Sequence, residues 1–138
     1  MSDKTAIKTA LAPAAIGPYS QAIATGQMVF TAGQIGIDPA TGSMVTGGIL
    51  PETTQVLTNL RAVLAAAGCS LDDIVKTTEL LADMSDFGTM NGVYEAHFSE
   101  PFPARSAFEA AALPKGARVE IEAVAVRPGL GIEETAID

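Results

Sequence analysis

The clearest pattern along the chain is helical and covers residues 53–67. Apolar side chains recur there at spacings of three and four, which places them on one face of an α-helix. Pro51 and Glu52 suit the first turn of such a helix, and Gly68 suits the position after its last turn. The pattern therefore predicts a long amphipathic helix, whose buried face would carry Val56, Leu57, Leu60, Val63, Leu64 and Ala67.

Three segments in the second half of the chain have strand patterns. Residues 118–126 alternate between apolar positions such as Val119 and polar positions such as Glu120, which predicts a strand with one buried face. Residues 74–82 are rich in β-branched side chains, and residues 105–111 follow a proline-rich stop. Both segments are therefore predicted strands.

The first half of the chain predicts a hairpin. Two short apolar stretches, residues 21–24 and 28–32, flank the dipeptide Gly26-Gln27. Residues 38–42 combine an early proline with a late glycine, which is typical of a turn.

A second, less regular helix is predicted to begin near Ser85 or Asp86. Gly88 and Gly92 weaken this helix by about 1 kcal/mol each. Its apolar stripe would consist of Phe87, Met90, Tyr94 and Phe98.

The order of these elements predicts a two-layer α+β domain over residues 1–127, with a mixed sheet and both helices on one of its faces. Residues 128–138 are predicted to form a C-terminal tail. Two helices cannot cover both faces of the sheet, so the other face is expected to meet another subunit. The composition fits this expectation, since 48% of the residues are hydrophobic and only 17% are charged.

Charge and composition exclude several classes of function. The net charge of −8 opposes binding to nucleic acid and to acidic membranes. One cysteine and one histidine cannot build a zinc site, and neither a phosphate-binding loop nor a dinucleotide fingerprint is present. Without a signal-peptide pattern or a long apolar run, the protein is expected to be cytoplasmic. The sequence thus predicts chemistry that needs no metal, no cofactor and no covalent nucleophile.

Arg105 is the most informative candidate for a binding residue. It follows a proline-rich stop and lies among apolar neighbours at the head of a predicted strand. A partly desolvated guanidinium there could hold a carboxylate through two parallel charge-assisted hydrogen bonds. It would also give an acidic protein the local cation that an anionic substrate requires. The alternative is a structural ion pair with a glutamate on an adjacent strand.

Glu120 lies in the middle of the last predicted strand. Desolvation would raise the pKa of this carboxyl group, whereas a nearby Arg105 would lower it. Glu120 could orient or deprotonate a water molecule. It could instead be the ion-pair partner of Arg105 or a solvated edge residue, and Glu122 shares its face, so the pattern alone does not choose between the two glutamates.

Two further candidates come from the first half of the chain. Tyr19 follows a Gly-Pro turn and could either hydrogen-bond a substrate or pack with its hydroxyl group in water. Gly33 could offer a backbone N–H where a side chain would block close approach, or could mark a β-bulge or a strand end.

Several ordered motifs that contain these residues resemble the RidA/YjgF family of enamine/imine deaminases. The resemblance extends from about residue 12 to residue 127. It rests on residues 14–22, 32–35, 73–78, 91–94 and 103–108, together with 113–116 and 119–123.

The resemblance implies a chorismate-mutase-like fold and a homotrimer whose sheets form a central barrel, with sites between subunits. It implies hydrolysis of 2-imino acids or their 2-enamine tautomers, such as 2-aminoacrylate, to 2-keto acids and ammonia, without a cofactor. Arg105 would bind the substrate carboxylate and Glu120 would position the attacking water. Tyr19, Ala107 and the backbone of Gly33 would contact the substrate.

Three positions depart from common family forms. Ala32 stands where many relatives have serine, Ala107 where many have cysteine, and Gly36 where proline is frequent. The first departure removes a hydrogen-bonding group from the implied pocket. Two other functions remain open at this point: a non-catalytic trimer that binds keto acids or acts like a chaperone, and an endoribonuclease or translation inhibitor.

Overall fold

A computed structural model describes residues 3–129, which form one six-stranded sheet, a separate two-stranded hairpin and two α-helices. The strand order in the large sheet is β1-β2-β3-β8-β6-β7. The strands are β1 (Lys4–Ile7), β2 (Ala22–Thr25), β3 (Met28–Thr31), β4 (Ile37–Asp38), β5 (Ser43–Met44), β6 (Ile74–Leu81), β7 (Ala104–Glu109) and β8 (Val119–Val126), and the helices are α1 (Ile49–Ala66) and α2 (Phe87–His97).

The sheet is mixed, as the sequence predicts. Its neighbouring strands are antiparallel except at one edge, where β7 runs parallel to β6. Because β8 lies between β3 and β6, the alternating last strand occupies the interior of the sheet. This position explains why its inward side chains are wholly apolar.

Both helices cover the same face of the sheet, which confirms the predicted two-layer arrangement. α1 packs on β8 and on α2, and the Tyr94 hydroxyl of α2 makes a 2.8 Å hydrogen bond with the Thr77 hydroxyl of β6. The opposite face carries large apolar side chains, since Phe30 is 44% and Phe108 is 50% exposed. The inward face of β8 is buried and consists of Val119, Ile121, Ala123 and Ala125.

The predicted helices are confirmed; α1 begins earlier than its pattern, and α2 begins at Phe87, just after the predicted start. α1 starts at Ile49 because Gly48, with φ of 99°, turns the chain into the helix and Pro51 fits its first turn. Gly68 follows the C-cap in the left-handed region, as expected. A short 3₁₀ turn, Met84–Asp86, leads into α2. No helix in residues 3–129 is both long and apolar enough to cross a lipid bilayer.

Two elements escape the sequence patterns. β1 presents only Ile7 to the core, so its four residues show no clear alternation. The predicted turn at residues 38–42 is present, but it joins the two-residue strands β4 and β5. Of the predicted tail, residues 130–138 lie outside the described residues.

A buried amide on α1 holds the segment that follows β3. The side-chain nitrogen of Asn59 donates to the carbonyl oxygens of Ile35 at 3.1 Å and Ile37 at 2.9 Å. The Asn59 oxygen accepts from the side chain of Gln55 at 2.9 Å. Asn59 is fully buried, so these bonds satisfy an amide that water does not reach. They attach residues 35–37 to the helical layer.

We predict that Asn59→Ala lowers the free energy of unfolding by about 1–3 kcal/mol, because it removes the two hydrogen bonds that a fully buried amide donates to the Ile35 and Ile37 carbonyl groups. Urea unfolding followed by circular dichroism measures the change. Thr58→Ala is the control, since Thr58 is exposed on the same helix and its hydroxyl donates only to the Thr54 carbonyl. A loss for Asn59→Ala no larger than for Thr58→Ala would contradict this assignment.

Candidate functional site

Glu120 lies at the wall of a large, mainly apolar cleft of about 880 Å³. It stands near the start of β8 on the face that the helices leave open. Tyr19 and Gly33, both predicted site residues, line the same cleft, together with Ala32 and Lys115. The structure therefore brings three of the predicted residues together.

Gly33 and Glu120 are in direct contact. A β-carbon at position 33 would overlap the Glu120 carboxylate, so only glycine leaves room for the side chain of Glu120 in this position. The pairing between β3 and β8 is also interrupted here, because one extra residue lies between Phe30 and the bridge at Gln34. The interpretation of Gly33 as a bulge or strand end thus fits the structure, and its role in binding a ligand stays a prediction.

The loop that carries Tyr19 is anchored by Gln21. The Gln21 oxygen accepts from the Thr9 backbone at 2.7 Å, and its nitrogen donates to the carbonyls of Thr9 at 3.1 Å and Pro13 at 2.8 Å. Gln21 is itself buried. The anchored segment forms one wall of the cleft, while the Tyr19 side chain remains 53% exposed at its rim.

The structure distinguishes the two glutamates of β8. Glu122 is exposed, whereas Glu120 is partly buried in the cleft. Burial raises the pKa of Glu120, and the negative charge of Glu122 raises it further. Of the two expectations for this carboxyl group, desolvation is the one that holds. A carboxylate of raised pKa is a stronger base, which suits a role in proton transfer.

Arg105 lies on the other face of the sheet, against α2. Its guanidinium donates to the Asn91 side-chain oxygen at 2.5 Å. It also lies 4.9 Å from the ring centre of Tyr94 and 5.4 Å from that of Phe87. The Arg105 side chain also lines a second cleft of about 430 Å³, whose wall includes Phe102. Arg105 is therefore held by α2 and still accessible to an anion.

Arg105 also has an acidic partner, and that partner is Glu79. The guanidinium Nε lies 3.4 Å from Glu79 Oε1. The alternative of an ion pair with a glutamate on an adjacent strand is therefore realised, since β6 neighbours β7. Glu120 as the partner was wrong. The signal that could have identified Glu79 is its alternation with Thr77 and Leu81, which points all three side chains to the core.

Within one chain, Arg105 and Glu120 do not meet. Arg105 pairs in register with Thr77 on the helical face, whereas Glu120 pairs with Leu80 on the open face. The two residues line different clefts, and two strand spacings separate β7 from β8. Ala107 lies opposite Glu79 in the register and belongs to neither lining set.

Cys69 and His97, the other reactive side chains considered, belong to neither of the two clefts. Cys69 is buried, which raises the pKa of its thiol. The His97 ring bonds to the Val93 carbonyl at 2.8 Å, one turn back along α2. Over residues 3–129, no three His, Cys, Asp or Glu side chains come together in a group that could hold a metal ion.

Sequence comparison and structure comparison both find similarity to proteins of one family. The family model described as endoribonuclease L-PSP matches residues 9–127. A Bos taurus protein named 2-iminobutanoate/2-iminopropanoate deaminase is 55% identical over 121 residues, which is 88% of each chain.

Two solved structures are similar over nearly their whole length. RidA from the Antarctic bacterium Psychrobacter sp. has a TM-score of 0.86 and 47% identity, and the match covers 88% of this chain and 98% of that one. TdcF from E. coli, with bound serine, has a TM-score of 0.84 and 42% identity, with 90% and 99% covered. The chain therefore belongs to the RidA/YjgF family.

Proposed function

We propose that this protein is a cytoplasmic hydrolase that deaminates reactive 2-imino acids, or their 2-enamine tautomers, to 2-keto acids and ammonia. 2-Aminoacrylate, which pyridoxal-phosphate enzymes release from serine, is a substrate of this class. The observation that carries the proposal is the Glu120 carboxylate, seated against bare backbone at Gly33 in an apolar cleft. The deaminase name of close relatives supports it.

The reaction needs only charge placement and water. In the proposed complex, Arg105 binds the substrate carboxylate, and the protonated imine carbon is already electrophilic. Glu120 accepts a proton from a water molecule as that water attacks the carbon, and it returns the proton to the leaving amine. General-base assistance of this kind contributes roughly 10²- to 10⁴-fold. Tyr19 and the Gly33 backbone orient the substrate, which lowers the entropic cost of the attack.

The active site is proposed to be shared between copies of the chain. Arg105 and Glu120 line separate clefts on opposite faces of one sheet, so a site that contains both requires two protomers. The open sheet face, with exposed Phe30 and Phe108, offers an apolar surface for assembly. We propose a homotrimer in which the open faces meet around a central barrel and each site joins two neighbours.

Two other functions differ in what they require. The family description names an endoribonuclease, but a net charge of −8 opposes the phosphate contacts that RNA binding needs. RNA cleavage that copurifies with the protein and disappears in Glu120→Ala would favour that function. A non-catalytic keto-acid-binding trimer would bind 2-ketobutyrate without accelerating imine hydrolysis.

We predict that Arg105→Ala lowers kcat/KM for imine hydrolysis by roughly 10²- to 10⁴-fold, because hydrogen bonds to a charged group contribute about 1.5–3 kcal/mol each. Arg105→Lys is also strongly impaired, since an ammonium group cannot form the bidentate fork. 2-Iminobutyrate is generated in situ and keto-acid formation is followed.

The matched control for these variants is Arg61→Lys, an Arg-to-Lys change at an exposed position of α1. It is expected to keep wild-type activity. Wild-type protein that fails to accelerate the reaction, or Arg105→Ala that performs as well as wild type, would contradict the proposed function.

A shared site predicts complementation between two inactive variants. Arg105→Ala and Glu120→Ala are each expected to be inactive alone, yet oligomers that contain both have some intact sites. In a closed ring of randomly mixed protomers, about one quarter of the sites receive both residues. Activity of the coexpressed mixture, with light scattering to measure the assembly, checks this. A mixture as inactive as its components would place each site within one chain.

The raised pKa of Glu120 predicts a pH dependence. Glu120 accepts a proton only when ionised, so kcat/KM falls as the pH drops through its pKa, which burial raises from its ordinary value. Glu122→Gln removes a neighbouring negative charge, lowers this pKa and moves the acidic limb to lower pH. Asp72→Asn, at an exposed position before β6, is expected to leave the limb in place. If the acidic limb of the pH profile does not move in Glu122→Gln, the limb belongs to a group other than Glu120.

A further inference from the structure

The most unusual group in the described residues is the carboxylate of Glu79. Its side chain is 0% exposed, and both of its oxygens lack a hydrogen-bond partner within residues 3–129. Its in-register neighbours on the two flanking strands are Ala107 and Ile121, which offer it no polar side chain. An ionised carboxylate in such surroundings is costly unless a charge compensates it.

Arg105 supplies that charge, but incompletely. The 3.4 Å between the guanidinium Nε and Glu79 Oε1 exceeds the roughly 2.7–2.9 Å of a charge-assisted hydrogen bond. The pKa of Glu79 is raised, because burial outweighs the opposite effect of the charges of Arg105 and Lys76. Burial raises the pKa of the Tyr94 phenol on α2, and the nearby negative charge of Glu79 raises it further. Glu79 is thus a buried acid whose one ion-pair partner within residues 3–129 is Arg105.

That cation is the residue we assign to the substrate carboxylate. The Arg105 side chain, 29% exposed, separates the buried Glu79 from the cleft that it lines with Asn91 and Phe102. A carboxylate ligand in the cleft therefore puts a second anion on the same guanidinium. Two carboxylates that share one site cannot both ionise without a large penalty, so one of them is expected to take up a proton.

We propose that Glu79 is a proton-linked counter-ion of Arg105, which is ionised in the free protein and takes up one proton from solvent when a carboxylate ligand binds Arg105. The proposal rests on the proposed function, because it requires Arg105 to hold the ligand. Glu79 is a positioning residue and does not touch the substrate. Its buried carboxylate lowers the affinity for the ligand at high pH and releases the guanidinium at low pH.

The linkage has a definite sign. A bound anion favours protonated Glu79, so protonated Glu79 favours the bound anion by the same factor. Affinity for a 2-keto acid therefore falls as the pH rises, by up to about tenfold per pH unit for one linked proton. Removal of the Glu79 charge is expected to tighten binding at high pH by about 5- to 150-fold, the usual range of such couplings.

The test is calorimetric titration of the full chain with 2-ketobutyrate between pH 5.5 and pH 8.5. Each titration is repeated in buffers of different ionisation enthalpy, because the dependence of the binding heat on the buffer gives the number of protons taken up. We expect net uptake by wild type. We expect Glu79→Gln to bind more tightly at high pH, with little dependence on pH and without the uptake.

Two further variants assign the proton to Glu79. Glu120 is the other carboxyl group that a bound ligand could protonate, so uptake that persists in Glu120→Gln supports Glu79. Glu109→Gln makes the same chemical change at the exposed far end of β7 and is expected to match wild type. Proton uptake on ligand binding can also be compared between wild type and Glu120→Gln. This comparison tests the proposal even if Glu79→Gln does not fold.

The outcomes separate this inference from the proposed function. Wild-type affinity in Arg105→Ala would remove the premise and contradict the proposed role of Arg105. If Arg105→Ala loses binding but Glu79→Gln keeps the uptake and the pH dependence, only the present inference fails. Weaker binding by folded Glu79→Gln at every pH would also overturn it, because Glu79 would then only orient the guanidinium. If Glu120→Gln no longer takes up a proton on binding the ligand, the proton belongs to Glu120 and not to Glu79.

Discussion

A sheet covered by helices on one face only is the constraint from which the other features follow. Side chains alternate along each strand, so one set of side chains meets the helical layer and the other set lies on the open face. In β8 this alternation buries Ile121 and directs Glu120 away from the helices. In β7 it directs Arg105 toward α2. The chain alone thus holds two halves of a site, and association of copies is the proposed way to unite them.

The chemistry of the proposed substrate explains why so few groups suffice. An imine carbon accepts water without a covalent nucleophile, so one base and one anion-binding group are enough. In the proposed mechanism the base is a partly buried carboxylate, and the anion-binding group is a guanidinium held against aromatic rings. The same guanidinium is the ion-pair partner of Glu79, so its proposed second role would connect the core to the ligand.

Much of this arrangement could be predicted from the sequence. The long helix and the alternating last strand follow from local spacing, which the fold preserves. The choice of Glu120 over Glu122 came from the family resemblance, because the alternation places both glutamates on one face. The partner of Arg105 could not be predicted, because it depends on the parallel register between β6 and β7, and that register follows from the whole sheet. The role of Asn59 could not be predicted for the same reason, because its partners, the Ile35 and Ile37 carbonyls, are distant in the sequence.

The contact between Gly33 and Glu120 also limits how this protein can evolve. Every other amino acid carries a β-carbon, and that single atom would occupy the space of the carboxylate. Glycine is therefore required at position 33 for as long as the Glu120 carboxylate keeps its present position. Changes in the breadth of accepted ligands have to arise elsewhere on the wall of the cleft, which also includes Ala32 and Tyr19.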